Sequence, residues 1–103
     1  NGWHDYFNGL NPNSTEALDH IITKLALIVT EVAEGIEELR NGHGPGETYY
    51  VNGKMEGFPS ELADVLIRVL DLAALIKIYL SYTVVEKLEF NATRGKHHGG
   101  KKV

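Results

Sequence analysis

Four carboxylates stand out by their spacing: Glu31 and Glu34 in one segment, Glu61 and Asp64 in another. On a helix turning about 100° per residue, residues three apart share a face. Two such pairs on facing helices could offer one cation about four oxygen donors. Oxygen donors without His or Cys are hard ligands, so the pattern leads us to expect Mg²⁺, with Mn²⁺ as a substitute, rather than zinc. The alternative is that each stripe merely faces solvent. A solvent face usually interleaves Lys or Arg at i+4. Glu31, Glu34 and Glu38 have no basic residue three or four positions away. Like charges at i,i+4 cost roughly 0.2–0.5 kcal/mol even when exposed, and a bound cation removes that penalty.

The same arithmetic places Glu38 about 20° and Glu34 about 60° to one side of Glu31, with Lys24 about 20° to the other and Glu37 further round. Lys24 is suited either to a salt bridge with a nearby acid or to a phosphate contact. In the second acidic segment Glu61, Asp64, Arg68 and Asp71 form one stripe, and Arg68 is expected to pair with Asp64 and support the ligand geometry. Further along, Lys87, Asn91 and Arg94 follow +4 and +3 spacing and share a helix face. Lys and Arg there would hold phosphate oxygens, with Asn91 donating an amide hydrogen bond. Alternatively they form a solvated helix end favourable to its dipole.

These residues need helices to carry them. Ser14 or Thr15 can cap a first helix with Glu16 and Asp19 in its opening turn, and Asn41-Gly42 can stop it after Arg40. Its apolar surface, including Ile21, Leu25, Ile28, Val32 and Ile36, is wide enough for burial on most sides. The loop from Asn41 to Pro59 contains Glu47–Val51, Asn52-Gly53 and Lys54–Glu56. That pattern predicts a β-hairpin on a two-residue turn. Only one of Tyr49 and Tyr50 can face inward on such a strand. A second helix is predicted from Pro59-Ser60, capped by Ser60, to about Tyr79, and a third from Ser81 or Tyr82 to Thr93. Residues 1–14, with Trp3, Tyr6 and Phe7, form an irregular lead-in whose aromatics either pin the segment to the core or stack on a base. Residues 95–103, with His97 and His98, form a flexible basic tail; His4, His20 and His43 receive no role. The expected fold is all-α, a helical bundle of two long helices plus a shorter third, with a small β-hairpin between the first two, as a single domain over residues 1–103.

Composition narrows the function classes. The 103 residues carry a net charge of −4 and no cysteine. Disulfides and thiolate zinc sites are therefore excluded. A net acidic chain argues against broad nucleic-acid binding. The basic residues gather near the C-terminus, at Arg94, Lys96, Lys101 and Lys102. An acidic centre beside a basic end suits an anionic, metal-chelated ligand. The sequence shows no signal-peptide pattern and no charge-free apolar stretch of about 20 residues, so no membrane association and a cytoplasmic location are expected. The wide apolar helix faces argue against a monomer.

Thr30-Glu31-Val32-Ala33-Glu34 followed, after a long loop, by Glu61-Leu62-Ala63-Asp64-Val65 resembles the MazG-like, all-α nucleotide pyrophosphohydrolase family. The resemblance extends over Lys24–Arg40, Glu47–Tyr50, Pro59–Leu72, Lys87-x-x-x-Asn91-x-x-Arg94 and His98–Lys101, most of the chain after residue 15. It implies a homodimer or homotetramer and Mg²⁺-dependent hydrolysis of a nucleoside or deoxynucleoside triphosphate to the monophosphate and pyrophosphate, for pool sanitation or dNTP control. By position, Glu31, Glu34, Glu61 and Asp64 would hold the metal. Many members carry a further acid directly before the first of these, where this chain has Thr30. Glu38 is the candidate for the missing carboxylate, to orient or deprotonate water together with Glu34. The same fold could instead serve a phosphoribosyl-nucleotide, or a non-catalytic nucleotide-sensing or oligomerisation module.

Overall fold

A computed structural model describes residues 9–97, with side chains through Arg94. The aromatic lead-in residues Trp3, Tyr6 and Phe7, and the tail residues His98, Lys101 and Lys102, lie outside it. The described chain is mostly helical: α1 (Thr15–Arg40), β1 (Tyr49–Val51), β2 (Lys54–Glu56), α2 (Phe58–Leu75) and α3 (Leu80–His97). Among these residues no helix is long and apolar enough to cross a membrane.

The first helix begins where capping chemistry places it. Ser14 Oγ accepts the Ala17 N–H at 3.1 Å, which satisfies one of the open donors of the first turn. At the other end the His43 N–H reaches the Glu38 carbonyl and the Gly42 N–H reaches that of Leu39. This is a Schellman closure. The hairpin forms in the expected register, with Val51 opposite Lys54 and Tyr49 opposite Glu56. Asn52 and Gly53 both have positive φ, 53° and 82°, as a type I′ turn requires.

Two helix boundaries differ from the sequence expectation. α2 is entered from Gly57, not capped by Ser60, and the Ser60 hydroxyl instead donates to the Met55 carbonyl at 3.2 Å. Gly57 has φ 113°, and a Cβ there would collide with the Glu47 carbonyl oxygen. The return strand therefore runs directly into the helix with a backbone that only glycine accommodates. α2 ends at Leu75 rather than near Tyr79. The Ile78 N–H bonds the Ala73 carbonyl and Lys77 takes φ 61°, a second Schellman closure with lysine in the position glycine prefers. Nothing in the residue types marks that stop. α3 is also longer than predicted, beginning at Leu80 and running to His97 into the stretch expected to be a tail.

α1 and α2 form the main tertiary pair. Arg68 meets Glu31, and the Gly35 backbone faces Phe58 and Glu61. At the far end Ala17 packs with Leu75, joined by Leu10, Ile21 and Ile76. Contacts that step forward along one helix and backward along the other make the pair antiparallel. Among the described residues the core is thin, confined to Ala17, Leu72, Ala73 and Leu75. Every residue from Ser81 to Arg94 on α3 is exposed. The radius of gyration is 17.9 Å, against about 13 Å for a compact chain of about 100 residues. The broad apolar faces expected to be buried are thus largely open in the single chain, as at Val29 (66% exposed), Leu66 (59%) and Leu88 (62%).

Candidate functional site

The antiparallel pairing brings the start of α2 beside the second half of α1. Gly35 lies at this approach, where a Cβ would still make ordinary van der Waals contact. An added Cβ would lie 3.5 Å from the Phe58 ring and 3.6 Å from Glu61 Cβ, so a longer side chain would push α2 away. Glu31, Glu34 and Glu61 consequently converge, each offering a carboxylate oxygen within 4.8 Å of the others. Asp64 is one turn beyond Glu61 on α2, half-buried and outside that group of three. Its charge still reaches Glu61.

The electrostatics record the crowding. Burial, then the charge of Glu34, side-chain hydrogen bonding with Glu31 and the charges of Glu31 and Asp64 push the Glu61 carboxyl up to about 7. Its Oε2 is covered and has no hydrogen-bond partner, the condition in which a carboxylate oxygen either keeps a proton or takes a cation. Glu31 is only 12% exposed and accepts from Arg68 Nε at 3.0 Å on Oε1. The expected Arg68–Asp64 pair is therefore replaced by a bridge between helices. Spacing along one helix could not reveal it, because the partner lies 37 residues away.

Beside the three acids lies an open pocket of about 300 Å³, lined by Glu34, Glu37, Glu38, Glu56 and Glu61 with Thr30 and Ala33. Glu38 thus shares a pocket with two members of the cluster, as its helical sector predicted. Glu37, which the helical arithmetic put further round, and Glu56, at the end of the hairpin, join it. Glu56 sits opposite Tyr49 in the strand pair, so the Asn-Gly turn carried the signal for its position.

The hairpin reaches α1 through Tyr49, the inward one of the two tyrosines; Tyr50 is 64% exposed. The Tyr49 hydroxyl lies 2.8 and 2.9 Å from the two Glu38 carboxylate oxygens and donates to that carboxylate. This bond, followed by burial and the charges of Glu38, Glu56 and Glu47, pushes the Tyr49 hydroxyl up to about 12, so it remains a donor. The Tyr49 ring stacks on His43, centroids 4.6 Å apart. His43 Nδ1 meets Glu47 Oε2 at 3.2 Å, and Glu47 Oε1 accepts the Gly44 N–H at 3.0 Å. The Gly44 N–H first, then His43, hold Glu47 below the usual carboxylate range.

The cationic candidates are placed elsewhere. Lys24 is half-buried on α1, two turns before Glu31. Lys87 and Arg94 flank the Phe90 ring on α3, at 5.8 and 5.7 Å from its centroid, and Asn91 is exposed on the same helix. None of the four lines the acidic pocket. In comparisons with known proteins, no family model, curated protein or solved structure matches the chain.

Proposed function

We propose that the chain is a Mg²⁺-dependent nucleotide pyrophosphohydrolase that cleaves a (d)NTP to the monophosphate and pyrophosphate. The observation that carries this reading is the convergence of Glu31, Glu34 and Glu61 from two helices. The donor set fits a hard cation. It is all oxygen, it is crowded enough to raise one member's proton affinity, and one covered oxygen lacks a partner. Asp64, one turn on, is the fourth donor in this reading. When bound, Mg²⁺ (or Mn²⁺) would neutralise phosphate charge and polarise the phosphorus under attack. The resemblance of the acidic segments to the MazG-like family supports the substrate class.

The chain's own groups divide the remaining work. Glu38 faces the pocket beside Glu34 and Glu61 and is suited to orient water or take its proton. Thr30, also on the pocket wall, supplies no charge. Lys87, Asn91 and Arg94 would hold the phosphate oxygens of the leaving group. Because they do not line the pocket of their own chain, the reading calls for a homodimer or homotetramer in which α3 of a neighbouring copy approaches it. The open apolar faces support such an assembly, since each large aliphatic side chain gains about 1.5–3 kcal/mol on full burial. A cytoplasmic nucleotide pool is the matching setting.

Pyrophosphate release from a panel of NTPs and dNTPs with Mg²⁺ tests the reading. Turnover that is lost in Glu34→Gln and in Asp64→Asn supports it. Retained activity in both variants would remove the assigned site. A chain that binds Mg²⁺ and nucleotide but releases no pyrophosphate is a sensing module, and activity only on phosphoribosyl-nucleotides would reassign the substrate.

A further inference from the structure

We infer that Tyr49 is a positioning residue that acts through Glu38, holding its carboxylate in the pocket beside the three-acid cluster. The inference rests on the pyrophosphohydrolase reading, in which Glu38 handles the attacking water. Four observations carry it. The Tyr49 hydroxyl approaches both Glu38 oxygens, at 2.8 and 2.9 Å, and so fixes the plane of the carboxylate as well as its location. Glu38 has no basic residue three or four positions away on its helix, and among the described residues nothing cationic lines the pocket. Four other acids border the same space: Glu34, Glu37, Glu56 and Glu61. A free Glu38 side chain would be driven by that field towards solvent, away from the reacting water. A neutral hydroxyl donor counters this without adding a cation that would pair with the ligands.

Tyr49 is itself held. Its ring stacks on His43, which Glu47 orients, and Glu47 is tied back to the Gly44 N–H. Its strand is fixed in register by the Asn52-Gly53 turn and by the close passage of Gly57 under Glu47 and Thr48. The loop between α1 and α2 therefore presents one hydroxyl to one carboxylate from a braced frame. This is the kind of support a group needs when its geometry sets the rate.

The test is a double-substitution cycle on the full chain: wild type, Tyr49→Phe, Glu38→Asp and the pair, assayed for pyrophosphate release with Mg²⁺. Phenylalanine keeps the ring that stacks on His43 and removes only the donor. Aspartate keeps the charge but shortens the side chain by one methylene, which withdraws the carboxylate from the hydroxyl. Losing a hydrogen bond to a charged group corresponds to about a 10- to 100-fold change. The expected result is a fall in kcat of that order in Tyr49→Phe, with KM and the Mg²⁺ concentration for half-maximal activity unchanged. In the Glu38→Asp background, Tyr49→Phe should then cause no further loss. Multiplicative losses in the pair, an unchanged kcat in Tyr49→Phe, or a raised KM or Mg²⁺ requirement would each overturn the positioning role. Absence of turnover in the wild type would instead remove the pyrophosphohydrolase reading, and the inference with it.

Discussion

Arg68 of α2 reaches across to α1 and places its Nε 3.0 Å from Glu31 Oε1, tying the arginine of one acidic stripe to the first acid of the other. The bridge engages one Glu31 oxygen. It also brings a positive charge to one of the three converging carboxylates. Replacing Arg68 by Met keeps the aliphatic stem and removes the charge. Metal-free Arg68→Met should be destabilised by about 1 kcal/mol, a modest figure because the guanidinium is 43% exposed and solvent-screened. Mg²⁺ would then replace the missing positive charge. The rise in melting temperature on adding Mg²⁺ should accordingly be larger in the variant than in the wild type. Equal shifts in thermal melts would separate the bridge from the cation site.

Glu61 gives the protein a pH signature. Its folded-state carboxyl lies at about 7, above the ordinary 4.5. A raised value means that the folded protein binds the proton more tightly than the unfolded chain. The stabilisation is complete below about 4.5 and is lost as pH rises through about 7. Without metal, melting temperature should fall across that window. With Mg²⁺ the dependence should flatten, because the cation takes the proton's place and binds better as pH rises. Calorimetry in buffers of different ionisation enthalpy should detect proton release on Mg²⁺ binding near neutral pH. Glu61→Gln should abolish both effects.

Lys77 holds a conformation that suits glycine. Its φ of 61° closes the C-terminus of α2, and an L side chain in that region costs roughly 1–2 kcal/mol. Lys77→Gly relieves this but gives the unfolded chain more freedom. The net expectation is a gain of about 0.5–1 kcal/mol, read as a higher denaturation midpoint. Lys77→Val, branched at Cβ, should lower it.

The exposed apolar faces predict self-association. Val29, Leu66 and Leu88 stand 66, 59 and 62% exposed on the three helices. Sedimentation should show a dimer or tetramer at micromolar concentration. Leu66→Asp and Leu88→Asp would each put a charge on a face that a second copy covers. The variants should shift towards monomer and melt at lower temperature. A monomeric wild type would leave those faces without the proposed occupant.

Residue types and periodicity determined much of this protein. Ser14 as a cap, Asn41-Gly42 as a stop and Asn52-Gly53 as a hairpin turn are local signals. Each acts over a few residues, and each appears in the structure where the sequence placed it. The spacing of Glu31, Glu34 and Glu38 likewise put them on one sector, because helical pitch alone decides which residues share a face. The tertiary structure decided what faces that sector. Only the antiparallel pairing of α1 and α2 brings Glu61 to Glu31 and Glu34 and turns Arg68 to Glu31 instead of Asp64. Only the fold of the loop carries Tyr49 back to Glu38. The early end of α2 at Leu75 was also hidden, since lysine at position 77 does not announce a left-handed turn. The physical division is one of range. Caps, turns and pitch are set by neighbours in the chain, whereas the partners of a carboxylate depend on the path of the backbone between them.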